Sequence, residues 1–93
     1  MATKPRVWPD NPTHPGELLQ DELLARNISV RDLGASLGAL AHNLERVLAL
    51  QGPITAELAW ELERVVTGVS ARFWMGLQAD YDLAVARRHR TSA

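Results

Sequence analysis

The side chains able to do chemistry in this sequence are few, and their spacing does not assemble a catalytic site. His14, His42 and His89 are far apart, and no His-Glu-x-x-His pattern or close ligand set is present for a metal ion. Glu61 and Glu63 lie two positions apart, so on a helix they point away from each other and make a poor acid and base pair. The chain has no cysteine nucleophile, and no glycine-rich loop follows a strand. We therefore predict a partner-binding protein that is not an enzyme and uses no metal or other cofactor.

A second set of polar side chains is suited to hydrogen bonding with DNA. The set consists of Arg31, His42, Asn43 and Arg46. Side chains of these types read base edges in the major groove or contact phosphates. The same residues would also suit a solvated polar surface on a helix whose other side is core. Which role applies depends on the elements that carry them.

Capping residues and apolar spacing predict five helices, with no competing strand signal. Each predicted helix begins at a capping residue or proline, or ends near a glycine or asparagine. The predicted helices run from His14 to about Arg26, from Ser29 to Gly38, from about Leu40 to Leu50, from Thr55 to Gly68, and from Ser70 onward.

The second and third helices have the spacing of a helix-turn-helix. Such a pair needs a small residue where the backbones approach, a glycine in the turn and apolar inner faces. Gly34 is the predicted contact residue, and Gly38 lies four residues later at the turn. The inner faces are supplied by Leu33, Leu37, Leu44 and Val47. A tight helical corner that uses the two glycines only for packing is the alternative interpretation.

Length and composition predict one domain with two short flanking segments. The chain has 93 residues, of which 46% are hydrophobic and 23% charged, as expected of a globular protein. We divide it into an extended, proline-rich N-terminal arm (1–13), a helix-turn-helix domain (14–86) and a basic C-terminal tail (87–93). No apolar run is long enough to span a membrane, and the lack of cysteine fits the reducing cytoplasm. The central domain contains five arginines against ten acids, which weakens a nucleic-acid interpretation.

Three segments, together with the helix-turn-helix spacing, resemble the HigA family of antitoxins over roughly residues 14–86. They are His14-Pro15-Gly16-Glu17, Ile54-Thr55-Ala56-Glu57, and the run from Phe73-Trp74-Met75-Gly76-Leu77-Gln78 to Ala79-Asp80-Tyr81-Asp82-Leu83. The resemblance implies a five-helix fold related to phage repressors and a homodimer. It also implies repression of the protein's own operon and inhibition of a HigB-type ribonuclease toxin that cleaves messenger RNA on the ribosome.

The sequence departs from the family pattern at the start and end of the third helix. Leu40 and Ala41 stand where a polar cap and base-reading side chains are usual, and neither can donate a hydrogen bond to a base. Ala49 and Leu50 replace the Asn-Gly that commonly ends this helix in the family. We therefore expect the helix to continue as far as Gly52.

This departure leaves two further functions open. One is an interaction module that keeps the helix-turn-helix scaffold while its DNA-reading face has degenerated, since Glu45 beside the reading positions would repel phosphate. The other is a phage-repressor-like regulator that has no toxin partner.

The last helix carries apolar residues on more than one face, and such an excess often marks a dimer interface. We expect Phe73 and Leu77 in the core. The predicted dimer interface consists of Trp74, Met75, Leu83 and Val85.

The two ends of the chain supply the remaining candidate contacts. In the arm, we predict toxin binding by Lys4, Arg6 and Trp8, because tryptophan is enriched among the residues that dominate interface affinity. Packing of the arm onto its own domain is an equal alternative. The run 87–90 in the tail would contact phosphates, engage an acidic partner or be simply solvated.

Overall fold

The computed structural model describes residues 13–92, which form five α-helices and contain no strand. The elements are α1 (Pro15–Ala25), α2 (Val30–Leu37), a 3-10 turn (Gly38–Leu40), α3 (Ala41–Leu48), α4 (Ala56–Val65) and α5 (Ala71–Ser92). The predicted all-α class and helix-turn-helix arrangement are confirmed.

Side chains cap four of the helices where the sequence predicts their starts. The Oγ or Oγ1 atoms of Ser29, Thr55 and Ser70 accept backbone N–H groups of the following first turns at 3.0–3.3 Å. At α1, His14 Nδ1 accepts the Gly16 N–H at 2.9 Å, and the Glu17 carboxylate accepts the His14 N–H at 3.2 Å. This reciprocal pair satisfies N–H groups that a helix start would otherwise leave unpaired.

Helices α1 and α3 end in the same way, although only the first ending was predicted. After α1, Asn27 adopts a left-handed conformation with φ of 56°. After α3, Leu50 does so with φ of 62°, and the Gln51 N–H donates to the Arg46 carbonyl at 2.8 Å. This is the Schellman arrangement, which normally uses glycine or asparagine at the left-handed position. The predicted extension of α3 to Leu50 or beyond is therefore wrong, because the chain reverses here without the expected residue type.

The core is a single cluster drawn from all five helices and the loop before α4. Its largest members are Leu19, Leu23, Leu33, Leu37, Leu44, Val47, Ile54, Leu58, Leu62, Val66 and Trp74. Trp74 is fully buried, whereas Phe73 is 47% exposed. Trp74 therefore cannot contribute to a dimer interface as predicted, and the core position predicted for Phe73 is wrong. The buried face of α5 runs through Ala71, Trp74 and Gln78, and adjacent helical positions differ by about 100° in direction.

The close approach between helices occurs at a different glycine from the one predicted. A Cβ added to Gly34 would meet no heavy atom within 4 Å, so the predicted contact role of Gly34 is wrong. A Cβ on Gly16 would collide with the carbonyl oxygen of Val47. The glycine at the start of α1 therefore allows α1 to lie directly against the end of α3.

Candidate nucleic-acid interface

Helices α2 and α3 form a corner that presents the outer side of α3 to solvent. Gly38 in the turn has φ of 59°, a conformation that disfavours residues with a side chain. The four predicted apolar residues of the inner faces are all buried: Leu33, Leu37, Leu44 and Val47. Burial of this side fixes the opposite side of α3 as the one available to a partner.

The four predicted base-reading residues fall into two groups. His42 and Arg46 lie one turn apart on the outer side of α3, and both are exposed. Arg31 is exposed near the start of α2, where a helix-turn-helix usually contacts the DNA backbone. Asn43, however, is half-buried and turned toward the loop between α3 and α4. The structure therefore does not gather all four into one surface.

Both ends of the Asn43 amide are used within the protein. Its Nδ2 donates to the Pro53 carbonyl at 2.9 Å, and its Oδ1 accepts the Thr55 hydroxyl at 2.8 Å. Thr55 is also the cap of α4, so Asn43 ties the start of α3 to the start of α4. Reading a base with this amide would require these two hydrogen bonds to break.

Arg46 is also engaged with the loop, but only through part of its guanidinium. Nη2 donates to the Gln51 carbonyl at 2.6 Å, while the stem of the side chain lies against Gly52. A guanidinium has five N–H donors, so the charge and several donors remain for a phosphate or a base.

The start of α3 has no side-chain cap, in agreement with the sequence. Leu40 occupies the cap position without a side-chain hydrogen bond and packs half-buried against the core. The preceding 3-10 turn leads directly into α3, and the Ala41 N–H donates to the Gly38 carbonyl. An apolar residue at this position anchors the helix start to the core instead of capping it.

Two motif residues hold the loop that follows α3, a role that the sequence did not reveal. The Gln78 Oε1 on α5 accepts the Ile54 N–H at 2.8 Å, and its Nε2 donates to Asp82 at 2.9 Å. His14 is buried, makes an edge contact with Tyr81 at a ring separation of 4.8 Å, and hydrogen-bonds the Gly52 backbone. A glutamine or histidine in a motif carries no sequence signal for such distant backbone partners.

Burial lowers the pKa of His14 below its usual value of 6.5. The hydrogen bond to Gly52 and the nearby carboxylates of Glu17 and Asp82 act in the opposite direction. Because Nδ1 accepts a backbone N–H, the imidazole must be neutral to cap α1 in this geometry.

An apolar groove lies between α4 and the start of α5. It has a volume of about 280 Å³ and is lined by Ala56, Ala59, Trp60, Ala71, Arg72 and Met75. Trp60 is 63% exposed at its edge and was not singled out from the sequence. Of the predicted dimer residues, Met75 lines the groove, Leu83 is exposed elsewhere on α5 and Val85 is half-buried.

The chain ends differ in what the structure says of them. The predicted toxin-binding residues Lys4, Arg6 and Trp8 lie outside the described residues. Helix α5 continues through Ser92, so the basic run 87–90 forms its last turns. Within the described range, no three His, Asp or Glu side chains cluster to hold a metal ion. No helix in that range is both long and apolar enough to cross a bilayer.

Comparison with known proteins links this geometry to DNA-binding regulators. No protein-family model matches the chain. It is 32% identical over 74 residues to virulence-associated protein A' of Dichelobacter nodosus, covering 80% of this chain and 64% of that protein's length. It is 31% identical over 88 residues to YddM, an uncharacterised helix-turn-helix-type transcriptional regulator of Escherichia coli K12, covering 95% of this chain and 84% of YddM.

Two solved structures from Pseudomonas aeruginosa share the fold. One is the antitoxin HigA with the higBA promoter, at 37% identity and a TM-score of 0.77 over 88% of this chain and 89% of that one. The other is PA4674 in complex with its operator DNA, at 40% identity and a TM-score of 0.72 over 82% of each chain. The neighbours whose names state a role are antitoxins or transcriptional regulators, which agrees with a protein that is not an enzyme.

Proposed function

Because the chain belongs to the family of HigA-like helix-turn-helix antitoxins, we propose that it is a homodimeric antitoxin that represses its own operon and neutralises a HigB-type ribonuclease toxin in the cytoplasm. The observation that carries this proposal is the exposed side of α3. Two relatives with the same fold, 37% and 40% identical to this chain, have been solved with promoter or operator DNA.

In this proposal, α3 enters the major groove and α2 lies across the DNA backbone. His42 and Arg46 face the bases or the phosphates, while Arg31 and the start of α2 bind a phosphate. The central domain carries a net negative charge, so few cations are available to neutralise phosphates. Binding should therefore depend less steeply on salt than it does for a strongly basic domain.

A homodimer would present two copies of α3 to half-sites about 34 Å apart. The groove between α4 and α5 supports self-association, because Trp60 and Met75 leave an apolar surface exposed there. Leu83 is exposed farther along α5, and Val85 is half-buried. We retain Met75, Leu83 and Val85 as proposed interface residues and replace the buried Trp74 by Trp60.

Toxin neutralisation is proposed on grounds of the charge of the domain and the residue types of the N-terminal segment. A ribonuclease toxin needs a positive surface for RNA, and the domain between residues 14 and 86 is acidic. The N-terminal segment supplies Trp8 as an anchor and Lys4 and Arg6 for polar contacts. Deleting residues 1–12 should abolish toxin inhibition while DNA binding persists; unchanged inhibition would move the toxin site to the globular domain.

An alternative function is a protein-interaction module that has lost sequence-specific DNA binding. The specific observations in its favour are the uncapped start of α3 at Leu40 and the internal use of the Asn43 amide. Such a module would still dimerise and bind a toxin, but it would not distinguish its own upstream DNA from other DNA.

A fluorescence-anisotropy titration separates the two functions. The protein is titrated against its own upstream DNA and a scrambled duplex at about 50 and 200 mM salt. Repression requires tighter binding to the upstream DNA, weakened by His42→Ala or Arg46→Ala. Arg64→Ala on α4 is the matched control, since that arginine is exposed and paired only with Glu61 among the hydrogen bonds of its side chain. Equal binding to both duplexes would favour the interaction module.

A further inference from the structure

Beside His42, the outer side of α3 carries a carboxylate, that of Glu45, which the proposed DNA contacts do not include. His42 Nδ1 and Glu45 Oε1 lie 3.9 Å apart, three residues along the helix, with side chains 79% and 73% exposed. They share one helical face, so a groove that receives His42 also receives Glu45. A carboxylate there repels phosphate, which makes its position on the reading face costly unless it accepts a hydrogen bond from a base.

The neighbouring polar residues of α3 are engaged within the protein, Asn43 through both ends of its amide and Arg46 through one nitrogen of its guanidinium. Asn43 holds Pro53 and Thr55, and Arg46 holds Gln51, at 2.6–2.9 Å. These contacts fix the loop after α3 and the start of α4. His42 and Glu45 make no comparable contact beyond α3 among the hydrogen bonds of the described residues, so both can turn toward a partner without cost to the fold.

We propose that Glu45 and His42 determine the operator sequence, whereas Asn43 is a positioning residue that orients α3. In the major groove, cytosine presents its N4 amino group as a donor, and guanine presents the N7 and O6 acceptors. The Glu45 carboxylate accepts the cytosine donor, and a ring N–H of His42 donates to a guanine nearby. This inference rests on the proposed function and adds the class of base pair that α3 selects.

The cost of phosphate repulsion gives Glu45 a distinct signature. A basic side chain that attracts phosphate raises the affinity for all DNA. A carboxylate lowers the affinity for DNA of any sequence, and only a cytosine that donates a hydrogen bond to it offsets this loss. Removing the carboxylate should therefore tighten binding to scrambled DNA while it weakens discrimination. Glu45→Gln should shift the preference at that position from cytosine toward adenine, because glutamine pairs with the N6 and N7 atoms of adenine.

The test measures the affinity of the full chain for operator duplexes changed one base pair at a time. For the wild type, replacement of one particular C·G pair should lower the affinity for the duplex roughly 5- to 150-fold, the range expected for one good base contact. Glu45→Ala and Glu45→Gln should flatten or change the preference at that pair only. Asp21→Asn, an exposed carboxylate on α1, is the matched control and should leave the profile unchanged.

Asn43→Ala supplies the second readout. Because Asn43 is a positioning residue, its loss should weaken binding to all duplexes by a similar factor and lower the melting temperature of the protein. The base preference at each position should be preserved. An unchanged profile in both Glu45 variants, or a single position flattened by Asn43→Ala, overturns the inference while leaving repression intact. Failure of the wild type to distinguish its upstream DNA from scrambled DNA overturns the proposed repression and this inference together.

Discussion

Replacing Gly16 with alanine is the sharpest test of how the domain positions α3. The new Cβ would collide with the Val47 carbonyl oxygen and lie 3.1 Å from Leu50 Cδ2. The carbonyl belongs to the backbone of α3, so no side-chain rotation relieves the clash and the two helices must separate. Overpacking of this kind costs about 1–3 kcal/mol, and occasionally more.

Gly34→Ala is the matched control, because it changes a helical glycine to alanine where no heavy atom lies within 4 Å. Alanine in a helix is favoured over glycine by roughly 0.5–1 kcal/mol, so this variant should be more stable than the wild type. Thermal and urea unfolding at a fixed protein concentration measure both variants. In a domain of this size, each kcal/mol corresponds to about 4–8 °C in Tm.

The two substitutions must therefore move stability in opposite directions. Gly16→Ala should also weaken operator binding below its own melting temperature, since the end of α3 is displaced. Equal stability changes in the two variants, or a stabilised Gly16→Ala, would refute the conclusion that α1 packs directly on the backbone of α3.

Three further predictions address the turn, the buried histidine and the apolar groove. Leu50→Asn should raise the unfolding free energy by about 1 kcal/mol, because left-handed backbone costs a leucine about 1–2 kcal/mol and asparagine less; a loss of stability in urea unfolding would contradict this. For His14, the lowered pKa means that the unfolded chain binds the proton first, so stability is full above pH 6.5 and falls as the pH drops toward the folded pKa. His14→Asn should flatten that part of a pH series of unfolding measurements, and an unchanged slope would refute the assignment. Trp60→Ser should weaken self-association in sedimentation velocity, whereas Leu24→Ser, an equally exposed apolar position on α1, should not; equal sedimentation of the two variants would exclude the groove as the interface.

The sequence predicted the features of the fold that depend on local chemistry. Helix starts could be predicted at Ser29, Thr55 and Ser70, because a side-chain hydroxyl caps backbone N–H groups only two or three residues away. Asn27 announces the end of α1 because it tolerates left-handed backbone. Leu50 gives no such signal, although it adopts the same left-handed conformation, so the end of α3 was missed.

Tertiary features were predicted less well, for a related reason. The apolar residues of α5 fit two helical faces, and only the neighbours in space decide that Trp74 is inward and Phe73 outward. Gly16 and Gly34 are equally plausible contact positions by residue type. Only Gly16 packs against the Val47 carbonyl, which is distant in sequence, so residue type alone could not distinguish the two. The candidate site was affected in the same way, since the partners of Asn43 in the loop after α3 cannot be inferred from residue types.

The residues that define the family resemblance and those that face the groove have separate tasks in this protein. His14 at the cap of α1, Gly16 on α1 and Gln78 on α5 contact the end of α3 and the following loop on the side facing away from the groove. None of the three is exposed on the outer side of α3. His42 and Glu45 on that side can therefore change without loosening the packing that sets the helix in place. This separation explains how a chain can keep the motifs of an operator-binding family while carrying an unusual reading face: the motifs preserve the position of α3, and the exposed residues determine what it binds.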